Sequence, residues 1–226
     1  MSLSSELNKA LRIKEIKRSK HLFPLKDSTF RNKDLIEGIK VIFSKDVTMS
    51  KVTKKFEKVF SKKIKTPYSL MVNSGSSANL LALSSFNFKK GSEIITPNLT
   101  FSTTVAPIYQ LGLVPHFIGV EKNKFVADCD QIESCINKKT VAIMIPNLLG
   151  NIANWKRINQ IAKKYKLKVI EDSADTIGYS INGSNTGIYS DIVTNSFYAS
   201  HIINGAGTGG IVCFNDYDQY IKAKLL

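Results

Sequence analysis

The five residues Val141-Ala-Ile-Met-Ile145 give the clearest indication of the fold, because all of them are apolar. A run of this length and composition, without alternation, is typical of a strand that is buried on both faces. A helical pattern over 154–165 follows it, and then comes a second strand, Lys168-Val-Ile-Glu-Asp172. This order of strand, helix and strand predicts a βαβ unit, in which the two strands are parallel.

The same alternation continues on both sides of this unit. Predicted strands cover 68–72, 92–96, 114–118 and 211–214, with a further strand that ends at Phe197 or Tyr198, and predicted helices cover 76–86 and 101–111. Strands that alternate with helices in this way favour a sheet whose two faces are covered by helices. We therefore predict an α/β fold with a mostly parallel sheet.

Residues 1–66 differ from the rest of the chain, because they hold 18 Lys and Arg against 7 Asp and Glu. The predicted elements are an exposed basic helix over 4–20 and amphipathic helices over 34–43 and 50–60, the last one capped by Thr48 or Ser50. We therefore divide the chain into a basic helical segment, 1–66, and a larger domain, 67–226.

Composition is typical of a folded cytoplasmic protein. With 43% apolar residues the chain can bury a core, no signal-peptide pattern opens it, and no apolar run is long enough to cross a membrane. Its three cysteines lack zinc-ribbon spacing, so we expect free thiols and no metal site. The net charge of +14 comes mainly from lysines without interleaved aromatic residues, which favours a solvated surface over a nucleic-acid partner.

The stretch Asn73-Ser-Gly-Ser-Ser-Ala-Asn79 joins a predicted strand to a predicted helix. Small residues there leave backbone N–H groups free at the positive end of the helix dipole, where an anion such as phosphate binds. Ser76 and Ser77 would add hydroxyl donors. An ordinary capping turn is the alternative interpretation, and the stretch matches neither the Walker lysine motif nor GxGxxG.

Asp172 stands at the carboxyl end of a predicted buried strand. A carboxylate there is costly unless it meets a cation, for example the protonated pyridine nitrogen of a cofactor. Its alternative role is a helix or turn cap. Phe101, at the start of a predicted helix, either lies flat against a ring or belongs to the core, and Ser196 can donate to the same phosphate as Ser76.

His201 lies in the stretch Asn195-Ser-Phe-Tyr-Ala-Ser-His-Ile-Ile203, directly before the glycine-rich segment 204–210. Open α/β sheets bind their ligands at strand ends of this kind. A lone histidine between a serine and two isoleucines is either structural or catalytic, and these residues alone leave both readings open.

Together and in this order, the motifs resemble the DegT/DnrJ-type nucleotide-sugar aminotransferases. The resemblance covers about residues 22–216 and rests on the runs 71–83, 91–101, 112–115, 149–151, 169–175 and 196–198. It implies a fold-type I large domain that binds pyridoxal phosphate (PLP) on a sheet of about seven strands. The implied site roles are phosphate binding for Ser76, Ser77 and Ser196, ring stacking for Phe101, and pairing with the pyridine nitrogen for Asp172.

His201 departs from most of that family, in which a lysine at this position forms the Schiff base and moves the proton. Within the family, a Ser-Phe-Tyr-x-x-His run is typical of the sugar 3-dehydratases. Asp175 also agrees with that branch, and the resemblance implies that it is one of the cofactor-binding residues. The resemblance therefore implies a 4-keto-6-deoxyhexose 3-dehydratase that uses pyridoxamine phosphate (PMP), with His201 as the general base. The implied substrate is a nucleotide-diphosphate sugar for O-antigen or capsule synthesis, and the implied assembly is a homodimer.

Two alternatives remain at this point: a sugar aminotransferase that uses Lys222 or Lys224, and a non-catalytic remnant that binds a partner. The iron–sulfur type of dehydratase is disfavoured, because it carries a cysteine where this chain has Ala174. The segment Gly207-Thr-Gly-Gly210 also lacks the glutamate of the family's Gly-Glu-Gly-Gly. The resemblance covers only the family's large domain, and we expect the small C-terminal domain to have no counterpart within residues 1–226.

Overall fold

The computed structural model describes residues 32–181 and 184–226, so the helix predicted over 4–20 lies outside the described residues. The chain divides into two compact units, 1–56 and 57–226. No helix in the described residues has the length and apolar character needed to cross a membrane.

Two helices, α1 (Asn32–Phe43) and α2 (Lys51–Ile64), confirm the amphipathic patterns near the N-terminus. Ser50 caps α2, because its hydroxyl oxygen accepts a hydrogen bond from the backbone N–H of Val52 at 3.2 Å. The helix continues past its predicted end to Ile64, a residue buried in the core of the second unit.

The second unit contains the predicted alternation of strands and helices. Its remaining elements are β1 (Tyr68–Val72), α3 (Gly75–Ser84), β2 (Glu93–Pro97), α4 (Ser102–Gln110), β3 (Val114–Ile118), α5 (Cys129–Cys135), β4 (Thr140–Pro146), α6 (Trp155–Tyr165), β5 (Lys168–Asp172), the short β6 (Ser180–Ile181) and β7 (Ser184–Asn185), β8 (Ile192–Ser196), β9 (Gly210–Phe214) and α7 (Tyr217–Leu225). Single turns of 3₁₀-helix cover Leu148–Gly150 and Thr186–Tyr189.

Seven strands form one sheet in the order β1-β9-β8-β5-β4-β2-β3. The neighbours from β8 to β3 pair in parallel, which confirms the predicted βαβ units. Strand β9 is antiparallel to both of its neighbours. Its direction was not predicted, and it follows from the connection: no helix lies between β8 and β9, so the chain returns beside β8 without a crossover.

Strand β4 lies near the middle of the sheet and is buried on both faces, as its composition predicted. Ile143 and Ile145 belong to the core cluster that contains Trp155 of α6, whereas Met144 belongs to the other cluster, which contains Ala82 of α3 and Phe214 of β9. The alternation follows from the pleat, which directs successive side chains to opposite faces. The result is a three-layer α/β domain with a core on each side of the sheet.

Gly210 is required where β9 starts, because the backbone there passes very close to the corner between β1 and α3. A Cβ atom added at Gly210 would lie 2.3 Å from the carbonyl oxygen of Ser74. Backbone atoms cannot yield as a flexible side chain can, so a larger residue must push the two segments apart.

We therefore expect Gly210→Ala to lower the free energy of unfolding by about 1–3 kcal/mol, the usual cost of overpacking. Denaturation in urea, followed by circular dichroism, measures the change. Gly38→Ala is the matched control, because no atom lies within 4 Å of its added Cβ and alanine is favoured inside a helix. Equal losses of stability in the two variants would contradict the close approach at Gly210.

Candidate active site

The sequence-predicted site residues lie at one edge of the sheet. Strands β1, β2, β5 and β8 run in the same direction, so the loops that follow them meet at the carboxyl edge, where α/β sheets bind ligands. The residues on these loops or strand ends are Ser76 and Ser77 after β1, Phe101 after β2, Asp172 and Asp175 at the end of β5 and just beyond it, and Ser196 and His201 at the end of β8 and just beyond it.

Helix α3 starts directly after β1 and presents its N-terminus to this edge. Ser74 is the N-cap: its hydroxyl oxygen accepts a hydrogen bond from the backbone N–H of Ser77 at 3.1 Å. Ser76 is exposed and Ser77 is partly buried. Capping by Ser74 therefore leaves the hydroxyl of Ser76 available to a ligand. The sequence indicated the serine-rich turn but did not single out Ser74 as the cap.

Ser196 lies against this helix terminus although 121 residues separate it from Gly75 in the chain. A Cβ atom added at Gly75 would lie 2.6 Å from the Cβ of Ser196, so only glycine permits the approach. The side chain of Ser196 is 7% exposed, and its oxygen accepts a hydrogen bond from the N–H of Tyr198 at 3.3 Å. The predicted hydroxyl donors thus surround the positive end of α3.

Asp172 is buried where β5 ends. One of its carboxylate oxygens accepts hydrogen bonds from Asn79 Nδ2 and Thr104 Oγ1, each at 2.8 Å, and the other accepts one from the N–H of Ala174 at 3.1 Å. Thr194 fixes Asn79 in turn by donating to its amide oxygen at 2.6 Å. Burial is the largest influence on the carboxyl group and raises the pKa of Asp172, although the hydrogen bonds oppose this shift.

Asn79 and Thr104 are site residues that sequence reasoning missed. Both are almost fully buried on helices that pack on the sheet. The sequence did contain an indication of their role, because a polar side chain on the apolar side of a helix needs a buried hydrogen-bond partner. The sequence did not reveal that the shared partner is Asp172, because the three residues belong to three different elements.

Asp175 and His201 face each other above the sheet. The carboxylate oxygen Oδ1 of Asp175 lies 3.6 Å from Nε2 of His201, and its Oδ2 accepts a hydrogen bond from the N–H of Leu149 at 2.8 Å. Leu149 has a left-handed backbone conformation with φ of 53°, which turns its N–H toward Asp175. The Nδ1 atom of His201 is buried without a hydrogen-bond partner among the described residues. The imidazole therefore lies beside the carboxylate of Asp175 and the ring of Tyr198, whose centroid is 6.1 Å away.

Phe101 is 67% exposed at the N-terminus of α4. It does not belong to the core, which was one of the two readings from the sequence. Its ring stands on the loop after β2, on the same edge as Asp172, so it is available to a flat ligand.

No lysine occurs between Lys168 and Lys222, so the corner after β8 offers no primary amine from its own segment. Lys222 and Lys224 are exposed on α7. This helix begins at the opposite, amino edge of the sheet, where Gln219 donates to the hydroxyl of Ser85 at the end of α3. The described part of the chain also contains no group of three or more His, Cys, Asp or Glu residues placed to hold a metal ion.

The arrangement fits pyridoxal phosphate. A helix N-terminus with added hydroxyls suits a phosphate. Asp172 is a buried carboxylate with three uncharged donors, and no salt bridge neutralises it within the described residues. Such a group suits a protonated ring nitrogen. The sheet order and the ligand-binding edge are those of the fold-type I class of PLP-dependent enzymes.

Comparison with known proteins gives the family. The model of the DegT/DnrJ/EryC1/StrS aminotransferase family matches residues 30–226, so the chain belongs to this family. Its members include PLP-dependent sugar dehydratases and aminotransferases.

Two curated relatives illustrate both activities. The chain is 36% identical to GDP-4-keto-6-deoxy-D-mannose 3-dehydratase of Yersinia pseudotuberculosis over 204 residues, which are 88% of this chain and 52% of the relative. It is 32% identical to GDP-perosamine synthase of Caulobacter vibrioides over 171 residues, which are 76% of this chain and 46% of that enzyme. The chain thus spans about half the length of the curated relatives it matches.

A solved structure agrees with the fold. The E. coli GDP-4-keto-6-deoxy-D-mannose-3-dehydratase with bound hydrated PLP superposes with a TM-score of 0.82 and 32% sequence identity, over 88% of this chain and 52% of that one. The fold-type I sheet predicted from the resemblance is therefore confirmed.

We expect the cofactor-free protein to lose stability, relative to an Asp172→Asn variant, as the pH rises. Burial raises the pKa of folded Asp172 above the ordinary value of 3.8. Its contribution to stability is therefore fully present below about pH 4 and is lost as the pH rises through the folded pKa. Urea denaturation of both proteins from about pH 4 to about pH 8 measures the difference. If the difference in unfolding free energy between the two proteins stayed constant with pH, Asp172 would not be a buried carboxyl group without a neighbouring cation of the protein.

Proposed function

We propose that this chain is the cofactor-binding part of a 3-dehydratase that acts on a nucleotide-linked 4-keto-6-deoxyhexose and uses the pyridoxamine form of PLP. One observation carries the proposal: the loop after β8 brings the imidazole of His201 to 3.6 Å from the carboxylate of Asp175, in a segment that contains no lysine. An imidazole can accept and return a proton near neutral pH, but it cannot hold the cofactor covalently as an amine does.

The N-terminus of α3 binds the phosphate in this proposal. Ser76, Ser77 and Ser196 contribute hydroxyl donors, and the helix dipole adds positive potential at the same point. The contact between Gly75 and Ser196 supports this role, because it keeps the donors from two distant segments together.

Asp172 holds the ring nitrogen in its protonated form. Three uncharged donors keep its carboxylate in place without neutralising it, so the negative charge remains available to a cationic ring. Phe101, exposed on the neighbouring loop, covers one face of the ring. These side chains fix where the reacting carbon lies relative to His201.

His201 removes the proton from the exocyclic carbon of the cofactor. Asp175 orients the imidazole through Nε2 and stabilises the positive charge that the ring gains, and Leu149 holds Asp175 in place. When bound, the cofactor would supply an amine for the 4-keto carbon of the sugar and a ring that can take up electrons. His201 would hold the proton that it removes, and the 3-hydroxyl would leave with a proton as water.

The relatives support the substrate class, and the exposed surface of the chain supports an assembly. The Yersinia and E. coli relatives are named for a GDP-linked 4-keto-6-deoxy sugar, which supports a nucleotide-diphosphate sugar as the substrate. We extend the proposal to a homodimer, since apolar side chains are exposed on the loops of the carboxyl edge, where a second subunit can cover them. These side chains are Phe101, Leu149, Tyr198 and Ile202.

A sugar aminotransferase is the second candidate, because the Caulobacter relative is a GDP-perosamine synthase. This activity requires a lysine that bonds to the cofactor. The nearest lysines in the chain after His201 are Lys222 and Lys224, on a helix that begins at the other edge of the sheet. We therefore favour the dehydratase.

We expect His201→Asn to retain cofactor binding and to lower the rate of 3-hydroxyl loss by about 10²-fold or more, the usual contribution of a general base. Absorbance of the bound cofactor measures the first quantity, and mass spectrometry of the nucleotide sugar measures the second. His116→Asn is the matched control, because His116 on the edge strand β3 pairs with Glu93 on the neighbouring strand β2 at 3.2 Å. Full turnover by His201→Asn would refute the proposed role.

Borohydride should leave no reduced cofactor attached to a lysine of this chain. The reagent traps an enzyme that holds PLP through an amine, and the dehydratase proposal has no such bond. Peptide mapping after reduction gives the result directly. A modified Lys222 or Lys224 would instead favour the aminotransferase.

A further inference from the structure

Glu171 is a buried carboxyl group that the proposed reaction does not use. It precedes Asp172 in β5, and its side chain lies on the opposite face of the sheet because successive residues of a strand alternate. It is 0% exposed. Its Oε1 atom accepts hydrogen bonds from Asn147 Nδ2 at 2.9 Å, Ser173 Oγ at 2.7 Å and Thr186 Oγ1 at 2.6 Å. Its Oε2 atom lies 3.2 Å from Ser190 Oγ.

Asn147 connects this carboxyl group to the loop between β4 and α6. Its amide oxygen accepts hydrogen bonds from Trp155 Nε1 at 2.9 Å and from the N–H of Ala153 at 3.2 Å. Its backbone N–H donates to the carbonyl oxygen of Asp172 at 2.9 Å. The loop that starts at Asn147 also contains Leu149, whose N–H holds Asp175, so the position of this donor depends on Asn147.

Ser173 connects the same carboxyl group to the turn 173–176. Its hydroxyl donates to Glu171, and its backbone N–H donates to the carbonyl oxygen of Thr194 at 2.8 Å. At the other end of the turn, Asn195 Nδ2 donates to the carbonyl oxygen of Thr176 at 2.8 Å. The turn is thus fixed at both ends, and Asp175 lies inside it.

We propose that Glu171 is a positioning residue, which fixes Asp175 against His201 by holding the turn through Ser173 and the Leu149 loop through Asn147. Glu171 is on the opposite face of the sheet from Asp172 and acts only through these two segments. The inference deepens the proposed function, on which it rests, by adding the residue that sets the geometry of the base.

A small cavity beneath the turn agrees with a cluster built from polar groups. It is lined by Glu171, Ser173, Thr176 and Asn195 among others. No cationic side chain forms a salt bridge with Glu171 in the described part of the chain, and burial raises the pKa of this carboxyl. A neutral side chain of the same shape, glutamine, should therefore replace Glu171 without disturbing this cluster.

The test uses two serines that bond to the same carboxyl group. Ser173→Ala removes the link to the turn of Asp175 and also the bond that Ser173 Oγ accepts from Asn147 Nδ2 at 3.0 Å. Ser190→Ala removes a link to the segment before β8. Each serine is 5% exposed, so the two variants delete the same group from equally buried positions. Glu171→Gln is the conservative variant, since its amide oxygen can accept the three bonds made at Oε1.

Two quantities are measured in the full chain: the NMR signals of the His201 ring, assigned with His201→Asn, and the dissociation constant of PLP, from fluorescence titration. We expect Ser173→Ala to shift the His201 signals and to weaken PLP binding by roughly fivefold. Ser190→Ala and Glu171→Gln should leave both quantities close to those of the unsubstituted protein. In an Asp175→Ala background, Ser173→Ala should weaken PLP binding no further.

Equal effects of Ser173→Ala and Ser190→Ala, or unchanged His201 signals in Ser173→Ala, would overturn the positioning role. Thermal unfolding of each variant shows whether a change reflects lost stability alone, which would move both serine variants together. The ring signals do not depend on catalysis or on the cofactor. If the unsubstituted protein fails to bind PLP, the proposed function fails, and the ring signals still decide the role of Glu171.

Discussion

The site depends on one electrostatic constraint: a carboxylate is buried at the end of a central strand without a cation of the protein to neutralise it. Asn79 and Thr104 keep Asp172 in place through uncharged donors, and they do so from helices that pack on the sheet. Such a group costs free energy in the protein alone, and in the proposed function a positively charged cofactor ring would offset that cost.

The second constraint concerns the proton. A lysine that bonds to the cofactor is held at the reacting carbon by that bond, whereas an imidazole must be oriented by neighbouring groups of the protein. In this chain Asp175 lies beside the imidazole of His201 and is itself held by the N–H of Leu149. In the proposed function, the base therefore depends on the loops after β4 and β5, and both of these loops bond to one buried network around Glu171 and Asn147.

Much of this could be predicted from the sequence, and the reasons differ between residues. The apolar run of β4 and the strand that ends at Asp172 show burial directly, so the parallel sheet and its ligand-binding edge follow. The direction of β9 did not follow, because a strand pattern carries no information about which way the chain returns. Ser74 was overlooked among neighbouring serines, since a capping hydroxyl and a ligand-binding hydroxyl have the same composition. Asn79, Thr104 and Glu171 act through contacts between distant elements, which periodicity does not report.

The contacts around Asp172 join residues that are far apart along the chain: 93 positions separate it from Asn79, and 115 separate Asn79 from Thr194. During synthesis the ribosome releases Asn79 and Thr104 long before β8 appears. The proposed phosphate site is complete only after Ser196 has been synthesised and lies against Gly75. In the proposed function, cofactor binding therefore waits until β8 has been synthesised and these contacts between distant segments have formed.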